Sequence, residues 1–191
     1  MSIRLLTKRC AQALCLLLTA PAALLCGLGR IRIVFDLFAH TMALLPGVPG
    51  NFLRAAFYKF TLFESSIDVD IWFGTFFSRR HVRLAPHVTI GSYCVIADAD
   101  IGARTQIASH VDIPGRRQHS RDAQGRLSHS GNVPGQPVVI GSDCWIGSCA
   151  IVMANVGDGS TIGAGSVVVK EIPPGVIAVG TPAKPIKSSL E

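Results

Sequence analysis

A six-residue rhythm constrains this chain more than any other feature. Large aliphatics fall at Leu84, Ile90 and Ile96, then, after one five-residue step, at Ile101, Ile107 and Ile113. The rhythm resumes at Ile140, Ile146 and Val152, slips by four to Val156, and continues through Ile162 to Val168. The residue after the aliphatic is small in most cases, among them Gly91, Gly102, Gly141, Gly147 and Gly163. Four positions on comes a second, mostly small set that includes Cys94, Thr105, Cys144, Ala150, Ser160 and Ser166. Apolar spacings of three and four, which a helix needs, are absent here.

On a strand, the second small residue and the next aliphatic lie two apart and share one face. The residues between, often Gly, Ala, Ser, Asp or Asn, suit a sharp corner. Each hexapeptide is therefore one short strand plus one corner, and the chain winds into a parallel β-helix with its aliphatics inside. Between Pro114 and Pro137 the repeat stops for a polar insert. A solenoid keeps its core while extruding such a loop between coils, and long loops of this kind are usually functional.

Residues 1–63 carry a different pattern. No charge occurs from Cys10 to Gly29, while Lys8 and Arg9 precede the run and Arg30 and Arg32 follow it. Twenty helical residues reach about 30 Å, enough to cross a bilayer. In the next apolar stretch Arg32, Asp36 and His40 recur every four residues, a single polar stripe on a helix. Pro46 to Gly50 reads as a break, Asn51 as the cap of a helix over Phe52 to Phe60, and Arg54 and Lys59 as residues for a headgroup boundary. The expectation is a helical hairpin in one leaflet, or one that spans and returns, followed by an interfacial helix. Asp68 to Ser78 alternates as a capping strand would, with Phe73, Phe76 and Phe77 able to close the end of the prism.

The charge is divided in the same way. Seven basic residues against Asp36 give residues 1–63 the whole of the +6 net charge, because the remaining basic and acidic residues cancel. That favours an anionic membrane surface over nucleic acid, which calls for a basic stripe on the folded part. A signal peptide is the competing reading, since Ala20-Pro21-Ala22 resembles a cleavage site, but the apolar run continues past it. The six cysteines form no CxxC pair and no His/Cys ligand spacing, so no metal is expected and a reducing compartment fits.

The hexapeptides resemble those of the left-handed β-helix acyltransferases. The run from Pro137 to Lys187, and above all the motifs from Trp145 onward, is similar to the C-terminal part of galactoside, maltose and xenobiotic acetyltransferases. More weakly, the N-terminal arm resembles those of exopolysaccharide and capsule acetyltransferases. The resemblance implies a mainly β fold, a left-handed parallel β-helix over residues 64–187 behind a helical membrane-associated arm (1–63). The extruded loop then spans 114–137 and a short tail 188–191. It further implies a homotrimer that binds acetyl-CoA and transfers acetyl to a saccharide hydroxyl.

Site residues carry over by position. Attack on a thioester needs a base, and histidine suits that task near neutral pH. In the related enzymes the catalytic histidine opens the extruded loop ahead of the Trp-Ile-Gly tripeptide. His119 takes that place, 26 residues before Trp145, with His110 and His129 as the alternatives. For the donor, Ser148 and Ala164 match residues that hold the pantetheine arm. Val169 and Lys170 match a threonine–lysine pair, the hydroxyl being absent here, and Lys184 and Lys187 match cations near the nucleotide phosphates. With the arm against a bilayer, a lipid-linked saccharide or polysaccharide precursor at the cytoplasmic face of the plasma (inner) membrane is the expected acceptor. The rival readings are a scaffold without chemistry, another acyl donor, and a small-molecule or amine acceptor. A carbonic anhydrase would require three histidine ligands, which His81, His110 and His119 are poorly spaced to supply.

Overall fold

The computed structural model describes residues 3–115, 124, 126 and 136–188, the side chains of residues 187 and 188 excepted. His119 and His129 therefore lie outside the described residues, as do Arg116, Arg117 and Arg121 and the tail from residue 189.

From Glu64 on, the chain winds as a left-handed parallel β-helix over three sheets. The first sheet holds β1 (Glu64–Ser65), β4 (Val82–Leu84), β7 (Ala99–Ile101) and β10 (Val138–Ile140). The second holds β2 (Asp70–Ile71), β5 (Thr89–Ile90), β8 (Gln106–Ile107), β11 (Trp145–Ile146), β13 (Thr161–Ile162) and β15 (Val176–Val179). The third holds β3 (Phe76–Phe77), β6 (Val95–Ile96), β9 (Asp112–Ile113), β12 (Ile151–Val152) and β14 (Val167–Val168). One strand from each sheet makes a coil, and successive coils pair in parallel. Among the described strands, β16 (Lys184–Ser188) alone runs antiparallel, against β15.

The inward positions are those the repeat demands: Leu84, Ile90, Ile96, Ile107, Ile113, Ile146 and Val168 are all buried. Buried hydroxyls serve the corners. Thr105 Oγ1 donates to Gly141 O (2.6 Å) on the next coil and accepts from Cys144 N (3.1 Å). Burial pushes the thiols of Cys94 and Cys144 up, as befits small apolar fillers. The small residue after each aliphatic has a steric cause. A Cβ on Gly147 would stand 2.5 Å from Ala164 N on the coil above.

The three edges of the prism are unequal. From the second coil through the coil of β13 and β14, the first-to-second and second-to-third corners each place their third residue in the left-handed region, at His87, Tyr93, Arg104, His110, Asp143, Cys149, Gly159 and Gly165. The third-to-first edge has no such residue at Ala97–Asp98, Met153–Asn155 or Val169–Glu171. Both irregular steps seen in the sequence fall there, Ile96 to Ile101 and Val152 to Val156, and so does the excursion between β9 and β10.

The arm departs from the sequence expectation in several places. It consists of α1 (Ile3–Leu25), α2 (Arg32–Ala43) and α3 (Gly47–Thr61). The Pro-Gly segment does separate α2 from α3, but α3 begins within it, at Gly47 rather than at Phe52, since a Pro in the first turn loses no hydrogen bond. Asn51 is not a cap. It lies buried inside α3, where its Nδ2 donates to Asp70 Oδ1 (2.9 Å) and its Oδ1 accepts from Ile71 N (2.8 Å). Nor does Arg54 reach a headgroup boundary. Fully buried, it donates to Ile71 O (2.7 Å), Met42 O (3.0 Å) and Leu45 O (2.7 Å), and so satisfies carbonyls at the end of α2. Lys59 Nζ donates to Ser65 O (2.8 Å).

Asp68 to Ser78 is not a separate capping strand either. It forms part of the first coil, whose inward positions are Ser65, Ile71 and Phe77. The end of the prism is closed by α3, with Tyr58 edge-on to Phe77 at 4.6 Å and Phe57 beside it. Phe76 instead faces outward beneath His40 (4.6 Å), which leaves His40 a surface residue of α2. One buried cluster runs from Phe35 and Tyr58 through the coils to Ala183.

Candidate active site

The second-to-third edge brings the donor candidates together. Ser148 and Ala164 occupy equivalent exposed corners on adjacent coils, and Gly165 N donates to Ser148 O at 2.8 Å. One coil below, Cys149 N donates to Ser109 O (3.1 Å), so the corners form a continuous ladder. Trp145 projects outward from β11 between Gln106 and Thr161 and is half exposed, which excludes it from the core.

At the far end of β14, Val169 and Lys170 are exposed. The tail then folds back onto this strand, with Ala183 N donating to Val167 O (2.8 Å). That return places Lys184, exposed and opposite Val179, in the neighbourhood of β14. The Lys187 backbone pairs with Ile177, while its side chain lies outside the described residues.

The histidines separate by edge. His87 is exposed at a first-to-second corner. His110 lies flat against Tyr93 (5.3 Å, 13°), and the Tyr93 ring in turn covers Gly74 on the coil below, where an added Cβ would meet Tyr93 Cδ1 at 2.4 Å. Held in this column, His110 is exposed on the second-to-third edge. His81 lies on the irregular third-to-first edge, so it and His110 stand on different edges of the prism.

The root of the excursion is a site that sequence reasoning did not find. Asp98 sits in the shortened corner, almost fully buried. The outgoing chain packs on it at Gly115 (φ +80), where an added Cβ would lie 3.3 Å from Asp98 N, and the returning chain bonds it through Val138 N to Asp98 O (3.0 Å). Its Oδ2 accepts from Arg79 Nη1 (3.3 Å), while Oδ1 has no hydrogen-bond partner among the described residues and stands 3.7 Å from Nδ1 of the exposed His81. Burial lifts this carboxyl above its ordinary range, and Arg79 and His81 pull it back down. The five-residue step at Ile96 was the available signal, because a shortened corner draws its side chain inward. A shallow groove on the first sheet, lined by Arg83, Asp100, Val139 and Asp158 among others, contains none of the carried-over donor residues.

With this geometry in hand, the likeness to known proteins is informative. No family model matches the chain. A Schizosaccharomyces pombe protein named as an acetyltransferase is 49% identical over 94 residues, covering 48% of this chain and 44% of that protein. The galactoside O-acetyltransferase of Escherichia coli is 44% identical over 63 residues, 32% of this chain and 31% of the enzyme. Among solved structures, a maltose O-acetyltransferase from Clostridium difficile superposes with a TM-score of 0.55 at 25% identity, covering 81% of this chain and 84% of that one. Solved acyltransferases of the same fold hold coenzyme A or an acyl-CoA, and at about 22% identity they speak to the fold alone. The chain fits the hexapeptide-repeat acyltransferase family. It spans less than half the length of the first two relatives it matches.

Proposed function

We propose that the protein is a membrane-attached O-acetyltransferase that moves acetyl from acetyl-CoA to a hydroxyl of a lipid-linked or polysaccharide-precursor saccharide. The observation that carries this reading is the stacked pair Ser148 and Ala164, set one coil apart on an open edge with the cationic tail folded back over the same end. Such a ladder suits an extended pantetheine arm, and Lys170, Lys184 and Lys187 supply counter-charge for its phosphates. His119 takes the proton of the acceptor hydroxyl as its oxygen attacks the thioester carbonyl. The tetrahedral adduct then collapses, and the departing thiolate recovers the proton. No covalent enzyme intermediate is needed. Three copies around a three-fold axis would bring the donor edge of one prism against the excursion of the next. The outward leucines and basic excess of the arm support attachment to the cytoplasmic face of the inner membrane.

Thiol release from acetyl-CoA, measured with maltose and a galactoside as acceptors, tests the reading. His119→Ala should lower kcat by about 10²–10⁴-fold and leave CoA affinity intact. A second reading has one specific observation behind it, the approach of His81 to the buried Asp98. If His119→Ala turns over normally while His81→Ala and Asp98→Asn fail, the base is the His81 imidazole, oriented by that carboxylate.

A further inference from the structure

We infer that α1 does not cross the bilayer but lies flat in one leaflet across the end of the prism, so that the β-helix stands upright on the membrane. This deepens the membrane attachment proposed above and fixes its geometry. By length and composition α1 is long and apolar enough to span. Its contacts argue otherwise. One face, Gln12, Cys15, Thr19 and Ala23, is buried, at the three- and four-residue spacing of a single stripe packed on α3. Near its start, Gln12 Nε2 donates to Asp68 Oδ1 (3.0 Å) and to Ile67 O (3.2 Å), with Lys8 and Arg9 on the same carboxylate. Just past its end, Gly29 lies so close to Thr61 O that an added Cβ would stand 2.3 Å from it.

Both pins sit at the level of the first coil, and α3 is tied there at Asn51 and Lys59 as well. The two helices are thus layered across the base of the prism rather than continuing its axis. A spanning α1 would lay that axis along the bilayer and draw Arg83, Asp100 and Asp112 on the sheet faces toward hydrocarbon, where charges are strongly disfavoured. The free face of α1 carries Leu14, Leu17, Leu18 and Leu25, and the exposed Ile33 and Leu37 of α2 extend it. A lipid surface is the occupant to which the charge points. Exposed Arg4, Arg30 and Arg32 border this face, so anionic headgroups complement it, whereas a second copy docked end to end would set cation against cation. With coils about 4.8 Å apart, the excursion between the third and fourth coils then leaves the prism roughly 10–15 Å beyond the first coil.

The test adds the full chain to preformed vesicles of phosphatidylcholine and phosphatidylglycerol. Leu5→Cys and Leu28→Cys, each in a background with Cys10 and Cys149 replaced by serine, are labelled from outside with an impermeant maleimide. A flat helix exposes both positions. Protection of one end until the vesicles are permeabilised would mean that α1 spans and overturns the proposal. In a second arm, Leu17→Glu combined with Leu18→Glu should reduce co-flotation with the vesicles by tenfold or more, since two apolar side chains are replaced by charges that resist leaving water. Both residues are exposed, so the thermal midpoint in detergent should hold. Undiminished flotation of this variant, or wild-type protein that does not float at all, overturns the lipid assignment. Acetyl transfer to maltose in detergent is read separately. Its loss would sink the enzymatic reading and leave the orientation standing.

Discussion

The arm and the prism share one buried apolar cluster, yet they are held together in different ways. In the prism the core contacts recur: an aliphatic inside, a hydroxyl or cysteine at the corner, a small residue where coils touch. In the arm the helices dock through single polar residues with unique partners, Gln12 on Asp68, Asn51 on Asp70 and Ile71, Arg54 on three carbonyls. A repeat distributes its stability over neighbours of equal rank. A set of point contacts concentrates it, and losing one strands a buried partner.

The contrast is sharpest at Arg54. Arg54→Ala should cost about 3–5 kcal/mol, because it strips a buried charged network of its donor. Chemical denaturation together with limited proteolysis should find the arm released first while the solenoid signal persists. Simultaneous loss of both would show that arm and prism form one cooperative unit. Ile146→Ala, in the middle of the inward stack, should cost about 2–5 kcal/mol by removing buried methyl groups and leaving a cavity. Hydrogen exchange should then rise in the coils on either side before it rises in α3. If α3 responds first, the nearest-neighbour picture of the prism fails.

How much of this was legible follows the same division. Ile90, Ile107 and Ile146 announce themselves because a period of six keeps each on an inward strand position whatever the rest of the chain does. The equivalence of the Ser148 and Ala164 corners is legible from the same period, while the donor role assigned to them comes from the resemblance alone. Arg54 and Asn51 were misplaced because nothing local shows that carbonyls from α2 and β2 await them. Their polarity reads as surface until the fold supplies the partners. Asp98 and His81 were missed because they lie 17 residues apart and meet only where a corner is cut short.

Asp68 offers a gentler test. Hydrogen bonding from Gln12 holds its carboxyl well below the usual range, at about 2; burial opposes this, and Lys8 and Arg9 add to it. A depressed carboxylate of this kind contributes stability that is fully present above its unfolded value near 3.9 and disappears as pH falls through about 2. Acid titration between pH 4 and 2 should therefore loosen α1 from the first coil, seen as faster proteolysis within residues 3–25, and Asp68→Asn should abolish that dependence. The smallest effect is expected at the exposed Arg104–Asp143 pair on the first-to-second edge, bonded at 2.6 Å through Arg104 Nε. Arg104→Ala should shift the unfolding midpoint by no more than its experimental scatter, because solvent screens such pairs. A clear shift would mean that the prism also relies on point contacts.

The unequal edges also set where this molecule can change length. An added residue in a corner that uses a left-handed position would displace the next strand by one and turn its inward aliphatic to solvent. On the third edge, steps of four and five residues and one long excursion all rejoin the same register, as Val138 opposite Ala99 and Ile140 opposite Ile101 show. Insertions and deletions are thus channelled to a single seam. Segments grafted there could be exchanged wholesale while the corner ladder on the adjoining edge keeps its spacing.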